Sequence, residues 1–250
     1  MLIMILKVSF MMIGLGTVIN TAAIIIGGFL GIFFGKLLNE RIRSTLNIAC
    51  SLSVIFIGLS GALEGILSIV DKDIVSSRSM LIVASLCIGA LIGEALNIED
   101  AFERFGEWLK QKTGNSKDFR FVDAFVSSSL TVCIGAMAII GSIKDGTEGD
   151  ISILVTKAIL DMIIILVMSG SKGLGCIFSA LPVAVFQGTL TALSTLIKPI
   201  MTSTALENLS LIGSILIFCV GINLMFGKKI RVANLLPSII IAVVAAFIKL

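Results

Sequence analysis

Along the chain, apolar positions fall into eight long runs, near residues 8–35, 45–70, 80–97, 121–143, 151–169, 173–197, 206–226 and 232–248, separated by charged or Gly/Ser-rich interruptions. Runs of roughly 18 to 26 residues have the length at which an α-helix crosses a hydrocarbon core. None shows the ten-residue alternation of a membrane β-barrel strand, and in lipid every backbone group must be satisfied inside its own helix. The pattern predicts an all-α integral membrane protein with about eight transmembrane helices, one domain spanning 1–250. Runs one, two and six exceed the minimum length, which predicts tilt or kinks. The opening MLIMILKVSFMMIGLG has neither a basic n-region nor an A-x-A site, so it reads as a first spanning helix and not a removed signal peptide.

The charges between the runs orient them. Lys36, Arg41, Arg43, Arg104, Lys110, Lys112, Lys117, Arg120, Lys172, Lys228, Lys229 and Arg231 fall on one side, against Lys7, Lys72, Arg78, Lys144, Lys198 and Lys249 on the other. Twelve against six makes the first side cytoplasmic by the positive-inside rule and puts both termini outside. The one sizeable loop places Ile98, Ala101, Phe102, Phe105, Trp108 and Leu109 at helical spacing with charges opposite, predicting an interfacial helix over 98–112 on that face.

A repeat is also visible. Run two carries Ser44, Asn47, Ser51, Gly58, Gly61 and Gly65 on one helical face, and run seven carries Glu207, Ser210, Ser214, Gly221 and Lys228 on the same spacing, 163 positions later. GLGTVIN at Gly14 is echoed by GLGCIFS at Gly173, 159 positions later. The pattern predicts repeats over 8–97 and 173–248, the second entering from the other side as an inverted-topology repeat. Coincidence is the alternative, because small residues are frequent in membrane helices.

Composition agrees with the class and excludes others. The 250 residues are 57% hydrophobic and 14% charged, with a mean hydropathy of +1.12, outside the balance of a soluble domain. A net charge of +3 in scattered clusters argues against nucleic acid. Five cysteines lie within apolar runs without a CxxC, so reduced, buried thiols are expected and no metal site. The absence of histidine removes H-E-x-x-H sites and Ser–His dyads. GINLMFGKK at Gly221 has one residue too many between its glycines for a phosphate loop. No enzyme and no cofactor is expected.

The candidate chemistry lies in runs four to six. On a continuous helix Ser128, Thr131, Gly135, Ala138, Ser142 and Asp145 share one face, either a close-packing stripe or the lining of a polar route that ends at Asp145. Lys157 and Asp161 sit at i, i+4 near the middle of run five, where an unpaired charge costs at least about 2.5–3.5 kcal/mol, so both must face the protein interior. They either neutralise each other or contact an ion, proton or substrate. In run six Pro182 frees the carbonyl of Phe178, above a polar edge of Gln187, Thr191 and Ser194: an ordinary kink, or a broken helix lining a cavity. Asn20 in run one and Asn223 in run seven are buried amides suited to helix–helix hydrogen bonds. The zippers Gly27-xxx-Gly31-xxx-Gly35 and Ser85-xxx-Gly89-xxx-Gly93 read as packing faces and permit a homodimer.

The segments GTVINTAAIIIGGFLG, VCIGAMAIIGSIKDG, TKAILD and FSALPVAVFQG resemble the bacterial inner-membrane proteins of domain-of-unknown-function family 554, the YdfK/YqgA-like proteins, over essentially the whole chain. The most specific match is Cys133, Gly135, Met137, Ile139, Gly141, Ser142, Asp145 and Gly146. The family pattern usually has proline between that Gly and Met, where this chain has Ala136. The resemblance implies a multi-helix plasma-membrane protein, transport-related but without an assigned substrate.

The leading expectation is therefore a small secondary transporter or channel-like protein of the bacterial plasma membrane, moving an unknown small solute or ion. Its site would draw on Lys157, Asp161, Gln187, Asp145, Ser142, Thr131 and Asn20, with Asp161 as ion or proton carboxylate, Lys157 as charge partner or anion contact, and Gln187 as substrate hydrogen-bond partner. The alternative is a non-transporting signalling or assembly protein that works through protein partners. A cavity holding Lys157 and Asp161 would favour the first, a solid core with a direct bridge the second.

Overall fold

The computed structural model describes residues 13–70 and 73–248; residues 8–12 of run one, with Lys7, Lys72 and Lys249, lie outside the described residues. Among those described, six stretches are helical, long and apolar enough to cross a membrane. They are α1 (Leu15–Leu37), α2 (Glu40–Ile66), α3 (Ser79–Leu96), α7 (Ser152–Lys172), α10 (Ser203–Phe226) and the segment Leu174–Ala192, a 3-10 turn Leu174–Ser179 that continues as α8 (Ala180–Ala192). α4 (Ile98–Lys112) lies between α3 and the pair α5 (Phe121–Cys133) and α6 (Ala136–Glu148); α9 (Ser194–Ile197) is one turn; Val232–Leu235 is a 3-10 turn leading into α11 (Pro237–Ala245). Side chains define two starts: Asn39 accepts from the Ile42 N–H and Thr202 from the Ala205 N–H, each satisfying an otherwise orphan donor.

Glycine contacts give the relative directions. A Cβ at Gly27, Gly31 or Gly35 would strike the backbone of Met162, Leu166 or Gly170, so α1 and α7 run parallel in constant register. Gly58, Gly61 and Gly65 meet Phe218, Ser214 and Leu211, an antiparallel register between α2 and α10. Gly89 and Gly93 meet Ser238 and Asn234, so α3 and the 232–245 segment are antiparallel. Small residues here let helices approach backbone to backbone. Both zippers are thus filled inside one chain, and a homodimer has to use other faces.

Followed through these contacts, six long apolar helical stretches and the bent pair α5/α6 run between the two ends of the bundle, with the shorter Val232–Ala245 segment antiparallel to α3. One end, the basic end, collects the α1–α2 turn, α4, the 113–120 loop and residues 172–174 and 227–231. The opposite end collects residues 13–14, 67–70, 73–78, 149–151, 193–202 and 246–248, so both described ends of the chain lie there. Arg78 pairs with Glu207 and Lys198 with Glu148 at the opposite end, whereas Lys172 pairs with Asp123 and Arg231 with Glu94 at the basic end.

Four expectations need correction. Run four is not one helix: α5 and α6 are bent by 62° at Ile134–Gly135, where Gly135 has φ 147° and ψ 147°, a conformation essentially reserved for glycine. The break forms although Ala136 stands where the family pattern has proline. Residues 128 to 145 therefore do not share one helical face. Run two ends as a helix at Ile66; β1 (Leu67–Val70) and β2 (Asp73–Ser76) pair antiparallel, the β-branched Ile-Val in each being a good strand former. Pro182 does not interrupt a continuous α-helix: it sits in the first turn of α8, after a segment in 3-10 geometry, where a missing N–H costs little. Of the cysteines, all free, Cys87 is exposed while Cys50 and Cys176 are buried.

The segment expected at the interface is helical over Ile98–Lys112, but it docks through Glu99, Gly106 and Leu109, leaving Phe105 and Trp108 stacked together and half exposed. Glu99 is the anchor. Its carboxylate accepts from the Ala233 N–H at 2.8 Å and from Lys228 at 3.1 Å, while its own N–H donates to Asn234 Oδ1 at 2.7 Å.

Candidate functional site

The break in α5/α6 leaves carbonyls at the end of α5 without intrahelical donors. One is met from outside: the Lys157 ammonium donates to the Val132 carbonyl at 2.8 Å. The same Nζ is 2.6 Å from Asp161 Oδ2, and Asn20 Nδ2 of α1 donates to that oxygen at 3.0 Å. Lys157 is 6% exposed, Asp161 4% and Asn20 0%. A cation at the negative end of a half-helix is favourable, so the i, i+4 pair on α7 is tied to the cut end of one neighbour and to an amide of another.

The other predicted site residues divide. Asp145 is fully buried and caps α1: Oδ1 accepts from the Gly14 N–H and Oδ2 from the Gly16 N–H, each at 3.1 Å. This is an N-cap supplied from another helix, at a turn where Gly14 has φ 91°. Ser142 Oγ and both polar atoms of Gln187 are buried without a hydrogen-bond partner. Thr131 is not drawn in, because its hydroxyl donates to the Ser127 carbonyl of its own helix at 2.7 Å. Asn223 ties the 227–230 turn to α10, donating to the Ile230 carbonyl and accepting from the Lys229 and Ile230 N–H groups.

Two adjoining cavities that share Asp123 and Asn223 open at the basic end. The narrower, about 220 Å³, is lined by Glu99, Glu103, Asp123 and Lys228 near its mouth and by Val126, Ser127, Leu130 and Val220 deeper in. The wider, about 340 Å³, is lined by Glu40, Arg43, Asn47, Arg120, Ser171 and Lys172. Together they form a vestibule that runs down α5 as far as Leu130, two residues short of the carbonyl held by Lys157. Arg43 is fixed there by donation to the Gly35 carbonyl at 2.7 Å. Partial burial by itself would lower the Lys228 pKa, but hydrogen bonds to Glu103 and Glu99 outweigh it and hold the ammonium above its ordinary value. Sequence reasoning used these charges only to orient the helices. Their convergence from four separate segments is a tertiary property with no local spacing to reveal it.

A family model described as "Protein of unknown function (DUF554)" matches residues 15–247. The chain belongs to the DUF554 family. It is 27% identical over 233 residues to "Uncharacterized membrane protein YdfK" of Bacillus subtilis (strain 168), covering 93% of this chain and 96% of that protein. To "Uncharacterized protein YqgA" of Escherichia coli (strain K12) it is 28% identical over 232 residues, covering 91% and 94%. No solved structure matches the chain. The DUF554 match takes in every described span, the helix break and the Lys157–Asp161 pair, and the apolar helices make this member a multi-pass membrane protein.

Proposed function

We propose that this DUF554 protein is a small secondary transporter or channel-like protein of the bacterial plasma membrane, with a solute path along the broken helix α5/α6. The observation that carries the reading is the buried Lys157–Asp161–Asn20 group bound to the cut end of α5. Intramembrane ionisable groups are expensive, and discontinuous helices at membrane depth are characteristic of transporter ion and substrate sites. The vestibule supplies access from one end. In this conformation the path is shut between Leu130 and the ion pair, and Asp145 closes the opposite end against α1. By the positive-inside rule the vestibule faces the cytoplasm and both termini face out.

We read the 159- and 163-residue shifts as an inverted repeat, an arrangement that would serve alternating access. Gly14 and Gly173, both at positive φ (91° and 96°), open GLG segments at opposite ends of the bundle, the first leading into an α-helix and the second into a 3-10 turn. Across the antiparallel α2–α10 contact, Gly58 meets the backbone of Phe218 and Gly221 meets that of Ile55, a reciprocal pair under the 163-residue shift. We take residues 8–97 and 173–248 as the two copies, with rocking of one against the other opening the path to either side.

The direct bridge from Lys157 to Asp161, outside both cavities, favours a second reading: a structural pair in a non-transporting protein that acts through partners. The two are separated by thermal unfolding of the detergent-purified protein across cations, anions and metabolites at several pH values, beside Asp161→Asn. A ligand-dependent rise lost in the variant supports transport, because a ligand that binds only the folded state raises apparent stability. A variant that merely lowers stability, with no ligand active on either protein, supports the structural pair.

A further inference from the structure

Beyond the ion pair, eleven described side chains hold buried polar atoms without a hydrogen-bond partner, and five of them lie on three neighbouring helices toward the opposite end: Thr17 Oγ1 and Asn20 Oδ1 on α1, Ser142 Oγ on α6, and Gln187 Oε1 and Nε2 with Thr191 Oγ1 on α8. All five residues are less than one-tenth exposed. Helix register brings them within about one helical turn of one another. Gly146 touches Thr191 and Ser194, with α6 and α8 parallel, so one turn back on both helices lie Ser142 and Gln187. Gly28 of α1 touches Ile177, and with the two segments antiparallel the same register sets Gln187 opposite the turn from Thr17 to Asn20.

The chemistry of these atoms is selective. Because Asn20 Nδ2 donates to Asp161, the amide orientation is determined, and Oδ1 is an acceptor that nothing donates to. The three hydroxyls can turn lone pairs toward a common centre, and Gln187 adds an amide oxygen. Five neutral oxygens beside a carboxylate already balanced by Lys157 suit a hard cation of single charge. A divalent ion draws on several carboxylates or keeps its own waters. An anion would find no free cationic side chain in the set.

We propose that Thr17, Asn20, Ser142, Gln187 and Thr191 form a monovalent cation site, on the far side of the ion pair from the vestibule. The further role of that ion, coupling solute movement, rests on the transport reading; the binding itself does not.

The test is thermal unfolding of the purified full chain in NaCl, KCl and LiCl against choline chloride at constant ionic strength. One alkali cation raises Tm in a saturable way that choline does not, and Gln187→Met and Ser142→Ala each weaken its apparent affinity by about tenfold or more. Thr131→Val, at a hydroxyl satisfied within its own helix, leaves the affinity unchanged. Should Gln187→Met fail to fold, Ser142→Ala and alkali-metal NMR line broadening on the unaltered protein carry the test. Equal Tm in all four salts overturns the site, as does cation stabilisation that survives both variants, or stabilisation by a neutral hydroxylated solute alone through the same residues. A cation effect that persists when no solute acts through Asp161 upholds the site and removes the transport reading, so the two fail separately.

Discussion

Lys157 reaches from α7 to the Val132 carbonyl at 2.8 Å, so the end of one half-helix is closed by a charge that belongs to its neighbour. Since the same ammonium holds Asp161, a movement that withdraws Lys157 releases both the carboxylate and the end of α5. Charge and helix geometry are coupled through one atom.

Removing either partner alone leaves a buried charge uncompensated. Lys157→Met and Asp161→Leu are each expected to destabilise by about 3–5 kcal/mol, and the double variant by less than either. A double-mutant cycle on reversible unfolding in detergent checks this. Additive losses would mean that the two groups act independently.

Gly135 is required for its backbone and not for space, since nothing lies within 4 Å of a Cβ built there. Gly135→Ala should cost about 1–3 kcal/mol through strain alone. Gly188→Ala, with equally open surroundings and ordinary helical geometry, should cost nothing and on helix propensity slightly stabilise. Comparing their unfolding midpoints separates backbone from packing.

Asp145 acts on α1 through two N–H groups. Asp145→Ala should lower stability by about 0.5–2 kcal/mol, as the loss of a cap does. Any solute-dependent rise in Tm that acts through the ion pair should persist in that variant, while Asp161→Asn abolishes it. Loss of the ligand effect with Asp145→Ala would move the site toward the end of the bundle.

Lys228 holds α4 through Glu99 and Glu103. Its folded pKa lies above its ordinary value of 10.5, so its contribution is complete below about pH 10 and is lost as pH rises through the raised value. Trp108, the single tryptophan, sits on α4 and reports the docking. Its fluorescence should stay constant through neutral pH and change at alkaline pH, and Lys228→Met should show the alkaline signal at neutral pH.

What the sequence revealed follows from what is local. Apolar run length located the membrane-length helices, and period 3.6 found α4. The cost of charge in lipid sent Lys157 and Asp161 inward, and the glycine spacings marked faces that do meet other helices. The break at Gly135 was hidden because an apolar run with hydroxyls at helical spacing reads as one continuous helix. Leu67–Val70 extended an apolar run and so hid its strand pairing. The roles of Asp145 and Glu99 depend on N–H groups more than a hundred residues away, which no local pattern announces.

The most direct test of the path is thiol accessibility in a cysteine-free protein reconstituted with known orientation, using a membrane-impermeant reagent. Ser127→Cys, in the vestibule, should label from the basic side, and Ser142→Cys, beyond the ion pair, from the opposite side, with solutes that stabilise the protein shifting the two in opposite directions. A Ser142→Cys that labels from neither side under any solute or pH, in a folded protein whose Ser127→Cys labels freely, would contradict a path through the bundle.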